Sequence, residues 1–313
     1  MSEPASPELD STPTTQAAQP KRTCIFCGGA GMTKEDYWPQ WYQKLNDRKW
    51  TKAVHITSRP DKAGDVVIKQ RLRPGDPTES KLGRVCGACN NGWMSDLQTA
   101  AKPLIAQLLS GKWREFSREE QETLAAWATM FTMVIEYVDP GTVAISQEHR
   151  SEFCKTSQPP ALFKVWIGRL LPGTRHHGAF YHQSMAVYLD GEPAPNIQTT
   201  VIACDGLLLL VASAQRDYVI GETDNHKDFH FQEIAPNDWL GLGLGQLWPT
   251  QVKRLAPPER PLDDTDYSLL VHFLAELANT GPRAPLLLAY LPDLPDGPIK
   301  APSASRSPAT SVS

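Results

Sequence analysis

Two Cys-x-x-Cys pairs, Cys24/Cys27 and Cys86/Cys89, constrain this chain more than any other feature. The first sits in Thr23-Cys24-Ile25-Phe26-Cys27-Gly28-Gly29, the second in Val85-Cys86-Gly87-Ala88-Cys89-Asn90-Asn91-Gly92-Trp93. This spacing turns two thiols to the same side of a short loop, and the Gly and Asn residues that follow accept the tight turn. Two such pairs supply the four thiolates of a closed tetrahedral zinc site. Residues 28–85 separate the halves, a longer spacer than simple zinc fingers use, so a substantial insert lies between them. Two disulfides are the alternative. Read from Met1, the chain opens without a secretory signal, and 313 residues can build a core without staples. Reduced thiols, a structural zinc and a cytoplasmic location are therefore the expectation.

Composition decides two further points. The chain is 41% hydrophobic, enough for one large domain or two smaller ones. It has no apolar run of about 18 residues, so a membrane partner is not expected. Val201–Ser213 is the most apolar stretch, and Asp205-Gly206 interrupts it, which reads as a buried strand pair. The net charge of −4 hides an asymmetry. Residues 21–116 carry 17 Lys and Arg against 9 Asp and Glu, while residues 117–313 carry 14 against 23. The positive excess coincides with the cysteine-bearing region, and Arg59, Lys62, Lys69, Arg71 and Arg73 cluster in its insert. Such a surface attracts a polyanion, most simply the phosphate backbone of DNA. An ordinary solvated face, balanced by the acidic remainder, is the plainer alternative.

The pattern along the chain predicts an α+β protein. Residues 1–20 and 292–313, rich in Pro, Ser, Thr and Ala, read as a disordered leader and tail. Residues 21–116 form the cysteine module and residues 117–291 an α+β body carrying no recognisable motif. Within the module a short helix is expected over Asp36–Leu45. A hairpin follows, with strands over Val54–Thr57 and Val66–Leu72 and its turn in Arg59–Gly64. Leu97, Ala100, Ala101, Leu104, Ile105 and Leu108 have helical spacing, which puts the second cysteine pair at the mouth of a helix over Trp93–Leu109. Pro103 predicts a kink within it. Ser117-Arg118-Glu119-Glu120 is a capping box opening a buried helix through Val138. Strands are expected over 161–170, 179–189, 197–213 and 228–234, and a last helix over Asp266–Thr280.

Knuckle, hairpin, then knuckle plus helix is the order of a treble clef. Cys24-x-x-Cys27, Glu35-Asp36-Tyr37-Trp38-Pro39 and Cys86-x-x-Cys89-Asn90-Asn91-Gly92-Trp93 together resemble the HNH endonuclease superfamily, in its four-cysteine form. The resemblance covers roughly residues 22–112. It implies a ββα-metal core, a divalent ion such as magnesium, and hydrolysis of DNA phosphodiesters with a histidine activating water. This chain departs from the pattern at the catalytic positions. Asp36 stands where the family carries its general base, Lys81 falls near the middle asparagine, and Asn90 occupies the last position. An Asp can hold magnesium or act as a base, and an Asn can ligate through its carbonyl. An ordinary carboxyl, with a pKa near 4, is a poorer base at neutral pH than His. His55, the one histidine of the module, is the candidate replacement base if the hairpin brings it near Asp36, although a lone His beside a strand is more often structural.

The remaining candidates read as structural. His176, His177, His182, His226 and His230 lack clustered carboxylates and are expected at the surface. Cys154 belongs to no motif, and Cys204 sits in an apolar strand as a small hydrophobe. Trp38, Trp41 and Trp93 flank the knuckles and are expected to pack a small core around them, with base stacking as the functional alternative. Asn91 and Gly92 shape the start of the helix. Two functions follow: an HNH-type endonuclease with partly degenerate catalytic residues, or a catalytically silent zinc module that binds nucleic acid or a protein.

Overall fold

The computed structural model describes residues 22–45, 52–60, 66–174, 178–185, 195–216, 219–220, 229–230, 241–279 and 286–287. The expected leader and tail lie outside these residues. The cysteine-bearing region supplies strands β1 (Met32–Asp36), β2 (Lys52–Pro60), β3 (Val66–Pro74) and β4 (Lys81–Cys86), with helix α1 (Gln40–Leu45) after β1. Then come α2 (Ser95–Leu109), β5 (Phe116–Ser117), α3 (Arg118–Ile135) and α4 (Gln147–Thr156). The long strands are β6 (Phe163–Leu170), β7 (Ala179–Met185), β8 (Ile197–Cys204) and β9 (Leu207–Ala214). The short strands β10 (Val219–Ile220), β11 (Phe229–His230), β12 (Gly245–Trp248), β13 (Arg254–Leu255) and β14 (Pro261–Leu262) follow, then α5 (Asp264–Asn279) and β15 (Leu286–Leu287).

The architecture is mixed helix and sheet. Its centre is a nine-stranded sheet ordered β12-β6-β9-β8-β7-β15-β2-β3, with β14 pairing parallel to β6. Side chains alternate across a strand, and both faces here are covered. Leu207, Leu209 and Val211 of β9 join the core that contains α3, whereas Leu208, Leu210 and Ala212 join the core that contains α5. Burial on both faces is why Val201–Ser213 reads as one apolar run. The expected strand pair is present, turning at Asp205-Gly206 with Gly206 at a φ of 78°.

Helix α3 lies between the sheet and the cysteine module and is buried at every position from Leu124 to Ile135. Its capping box forms as expected: Ser117 Oγ accepts from Glu120 N at 3.3 Å, and Glu120 Oε2 accepts from Ser117 N at 2.8 Å. A helix apolar all round must be covered on all sides, and one continuous core carries Cys24, Phe26 and Trp38 together with Phe131, Phe163 and Leu209. Packing thus runs across the expected border at residue 116.

Several local expectations change. Asp36 ends a strand, and the helix begins only at Gln40. The hairpin strands are longer than expected because they join the large sheet, β2 pairing with β15. Helix α2 runs through Pro103 unbroken, since Pro103 is exposed and water can satisfy the carbonyl that loses its partner. The break lies at Gly92, at φ −95° and ψ −121°. Helix α4 was not expected; its polar sequence masks its one buried face. No described helix is long and apolar enough to cross a membrane.

A four-cysteine cluster and the adjoining cleft

The first knuckle closes through backbone bonds from Cys24 N to Gly29 O (2.8 Å) and Gly28 N to Cys24 O (2.9 Å), with Gly28 at a φ of 70°. A side chain at that φ would be strained, which is what the Gly-Gly after Cys27 avoids. Strands β1 and β4 then bring the second pair alongside. Met32 pairs with Cys86, Gly87 N donates to Gly31 O at 3.1 Å, and Ile25 N donates to Arg84 O at 3.0 Å. The four sulfurs all lie within 4.8 Å of one another, and Cys27 and Cys86 Sγ are 3.5 Å apart. A tetrahedron with metal–sulfur bonds of about 2.3 Å has edges of about 3.8 Å. The cluster therefore fits a structural metal such as zinc, and all four residues are free thiols, not disulfides. Burial pushes the Cys24 thiol up, but backbone amides of Cys27, Cys86 and Phe26 outweigh it and bring the pKa down to about 7.

The aromatic residues seat this cluster on the body. Trp38 is fully buried, stacked on Tyr42 at 4.7 Å and 4.6 Å from Phe131 of α3. Trp93 packs edge-on between Phe26 (5.0 Å) and Phe153 of α4 (5.5 Å). Helix α4 also ties down the first knuckle, because Gln147 Nε2 and Ser151 Oγ both donate to Phe26 O at 3.3 Å. Cys154, on the same helix, interacts with the Cys89 thiol. Trp41 lies 6.3 Å from Trp127, and its indole N–H donates to Gln98 Oε1 at 3.2 Å. The tryptophans are core side chains, but they pack against the body and not, as expected, in a small core of their own.

Beside the cluster is an open cleft of about 370 Å³. Asp36, Gln40 and Trp41 form one wall, and Asn90, Asn91, Gln98 and Lys102 the other. Asp36 and Asn90 also line a smaller chamber behind it, walled by Trp127, Met130 and Phe131 of α3. Asp36 and Lys81 are direct partners across β1 and β4, and Lys81 Nζ lies 3.4 Å from Asp36 Oδ2. Gln40 Nε2 donates to the same oxygen at 3.3 Å. Oδ1 takes no hydrogen bond from any described residue, although the carboxylate is only 9% exposed. Glu35 lies opposite Leu82. His55 sits on β2 opposite Arg71 and lines neither cavity.

The candidate phosphate contacts lie on the hairpin. Lys69 and Arg71 are exposed at alternate positions of β3, the outermost strand of the sheet. Arg59 pairs with Val67 and Arg73 with Ala53. Lys62 lies outside the described residues.

One histidine expectation is overturned. His182 is fully buried on β7, its Nδ1 2.8 Å from Thr200 Oγ1 and its Nε2 3.3 Å from Thr142 O. Burial holds its pKa down at about 4, so it is neutral at pH 7. His176, His177 and His226 lie outside the described residues, and His230 pairs with Val219 in a two-stranded ribbon. Near His182 is an ion pair that sequence reasoning missed. Arg150 donates to Glu136 and, at 2.6 Å, to Met133 O, while Glu136 Oε1 accepts from Ala144 N at 3.0 Å and Ile145 N at 3.3 Å. A Glu directly after the apolar Val134-Ile135 was the one available signal. Cys204 is buried, as expected. No family model, curated protein or solved structure matches this chain.

Proposed function

We propose that this chain is a zinc-ordered treble-clef module of HNH type, built into an α+β body, which binds nucleic acid and has lost its cutting centre. The order of cysteine pair, β1, β4, cysteine pair and helix supports the module. The zinc does no chemistry, because four thiolates leave no position for water.

The observation that carries the reading is the Lys81–Asp36 ion pair at 3.4 Å. The lysine ammonium already supplies this carboxylate with a cationic partner, the role a divalent cation would have there. Magnesium demands about six oxygen ligands in near-ideal octahedral geometry. The cleft offers one carboxylate, already paired with Lys81 through Oδ2, and the Asn90 amide, while His55 is not in its lining. These residues do not fit magnesium, and we assign no hydrolytic step. The basic balance of residues 21–116, with Lys69 and Arg71 exposed on β3, supports a phosphate backbone as partner.

The test is DNA binding followed by anisotropy between about 50 and 200 mM salt, with a parallel plasmid-nicking assay. Affinity should fall at least about a thousandfold over that range if six or more phosphates are neutralised. Joint reversal of Arg59, Lys69 and Arg71 to Glu should weaken binding regardless of sequence. Nicking should be no greater with magnesium or manganese than with EDTA. A slow HNH-type hydrolase is the second reading, favoured by the shared cleft of Asp36 and Asn90. Metal-dependent nicking that Asp36→Ala abolishes, with zinc content unchanged, would establish it.

A further inference from the structure

We propose that the cleft beside the cysteine cluster holds one unpaired nucleobase, and that Asp36 selects a base bearing an exocyclic amino group. The inference rests on the nucleic-acid reading above and adds the ligand's chemistry.

Three observations point to it. First, Asp36 is a nearly buried carboxylate with one oxygen unsatisfied: Oδ2 is held by Lys81 and Gln40, and Oδ1 takes no bond from a described residue. That oxygen faces the open cleft as a ready acceptor for a donor. Second, the cleft wall carries the amides of Gln40, Asn90, Asn91 and Gln98. Each amide offers both donors and an acceptor, the same mixture that a base edge presents. Third, the cleft itself is lined by Trp41, a half-buried indole whose N–H is held by Gln98 Oε1. An aromatic wall backed by polar edge groups is how proteins hold a splayed-out base. At about 370 Å³ the cleft lies in the small-molecule range of about 300–1,000 Å³.

Selectivity follows from hydrogen-bond polarity. Carboxylates accept from the N4 amino group of cytosine, and adenine carries N6 amino donors. Thymine and uracil present a carbonyl oxygen at the equivalent position, where it would face the acceptor oxygen of Asp36 with no proton between them. A concave site cannot reach a base within the stack, so the strand must be single or the nucleotide extruded. Lys102 at the rim and the exposed Arg71 on β3 would meet phosphates.

The experiment measures binding of the full-length zinc-loaded protein to 12-mers of dC, dA and dT, their ribonucleotide counterparts, and a mixed duplex. Cytosine and adenine strands should bind about tenfold tighter than thymine or uracil strands, and tighter than duplex. Asp36→Asn should narrow that ratio to within about twofold, because an amide serves both polarities. Asn91→Ala, at an exposed position, should weaken all single strands while leaving the duplex unmoved. Zinc content and circular dichroism show that each variant is folded. Equal affinity for every strand and for duplex, unchanged in both variants, would overturn the inference and leave the backbone-binding reading standing. No binding to any strand or duplex at low salt would overturn both.

Discussion

Strands β8 and β9 bury every residue, whereas none of the described side chains of β1 is fully buried. The two regions face the same entropic cost of ordering, roughly 1–2 kcal/mol per residue for the backbone. In the body that cost is met by apolar burial, worth about 1.5–3 kcal/mol for each large side chain. In the cysteine module β1 and β4, which bring in the second cysteine pair, are short and only partly buried. Order there comes from four converging thiols and from aromatic side chains that borrow the surface of α3. Two routes to order therefore coexist in a chain whose core is continuous. On the zinc reading, order in the module depends on a metal and order in the body does not.

Metal removal is the largest test of this contrast. Structural zinc sites contribute on the order of 10 kcal/mol or more. Cys89→Ser should take bound zinc from one per chain towards none. Hydrogen-exchange protection should then be lost in β1, β4 and the knuckles and retained in β8 and β9. Equal loss throughout would mean that the shared core makes one cooperative unit, and the contrast would fail.

A seam residue sharpens the same comparison. Phe131 touches Tyr37 and Trp38 of the module and Phe180 of the sheet. Phe131→Ala should cost about 3–5 kcal/mol, read as a lower urea midpoint. Because it loosens both partners, its exchange pattern should spread across module and body, unlike that of Cys89→Ser. Zinc stoichiometry should hold in the folded fraction.

The smallest effect isolates the start of α3. Arg114 Nη1 donates to Glu120 Oε2 at 2.8 Å, and this bond, helped by the Ser117 backbone amide against burial, brings the Glu120 carboxyl down to about 2 from 4.5. Between those values the unfolded chain binds the extra proton, so stability is full above about pH 4.5 and drains as pH falls towards 2. The shift alone sets a ceiling of about 3 kcal/mol. Solvent screening at this partly exposed pair reduces the expectation to about 1 kcal/mol or less. Glu120→Gln keeps the capping-box geometry and loses the charge. The variant should unfold earlier in urea at pH 7 and match the parent near pH 2. A gap that persists at low pH would assign the effect to the cap instead of the ion pair.

The legible parts share one property: their signal is local. Cys-x-x-Cys spacing announces a knuckle because two positions within one turn suffice. Ser117-x-x-Glu120 announces a helix start for the same reason, and both formed as read. The apolar runs of β8 and β9 announced burial on two faces but not what covers them. The expectation of a helix from Asp36 misses the strand end there, and the helix begins only at Gln40. The pairing of Asp36 with Lys81 across β1 and β4 keeps it extended.

By itself, the sequence determined the four-cysteine cluster, the buried hairpin, the capped central helix and the positive balance of the insert. Each of these is set by spacing or composition that a single segment carries. Tertiary structure alone decided that the insert's hairpin extends the sheet of the body, that α4 seals the first knuckle, and that His182 lies inside beside Glu136 and Arg150. It also decided that Lys81 closes on Asp36 while His55 stays outside the cleft. The physical reason is long-range pairing. A one-residue change in β1–β4 register would send Asp36 to the opposite face of its strand. That register is held by contacts about 45 residues apart in the chain, a separation that no local pattern encodes.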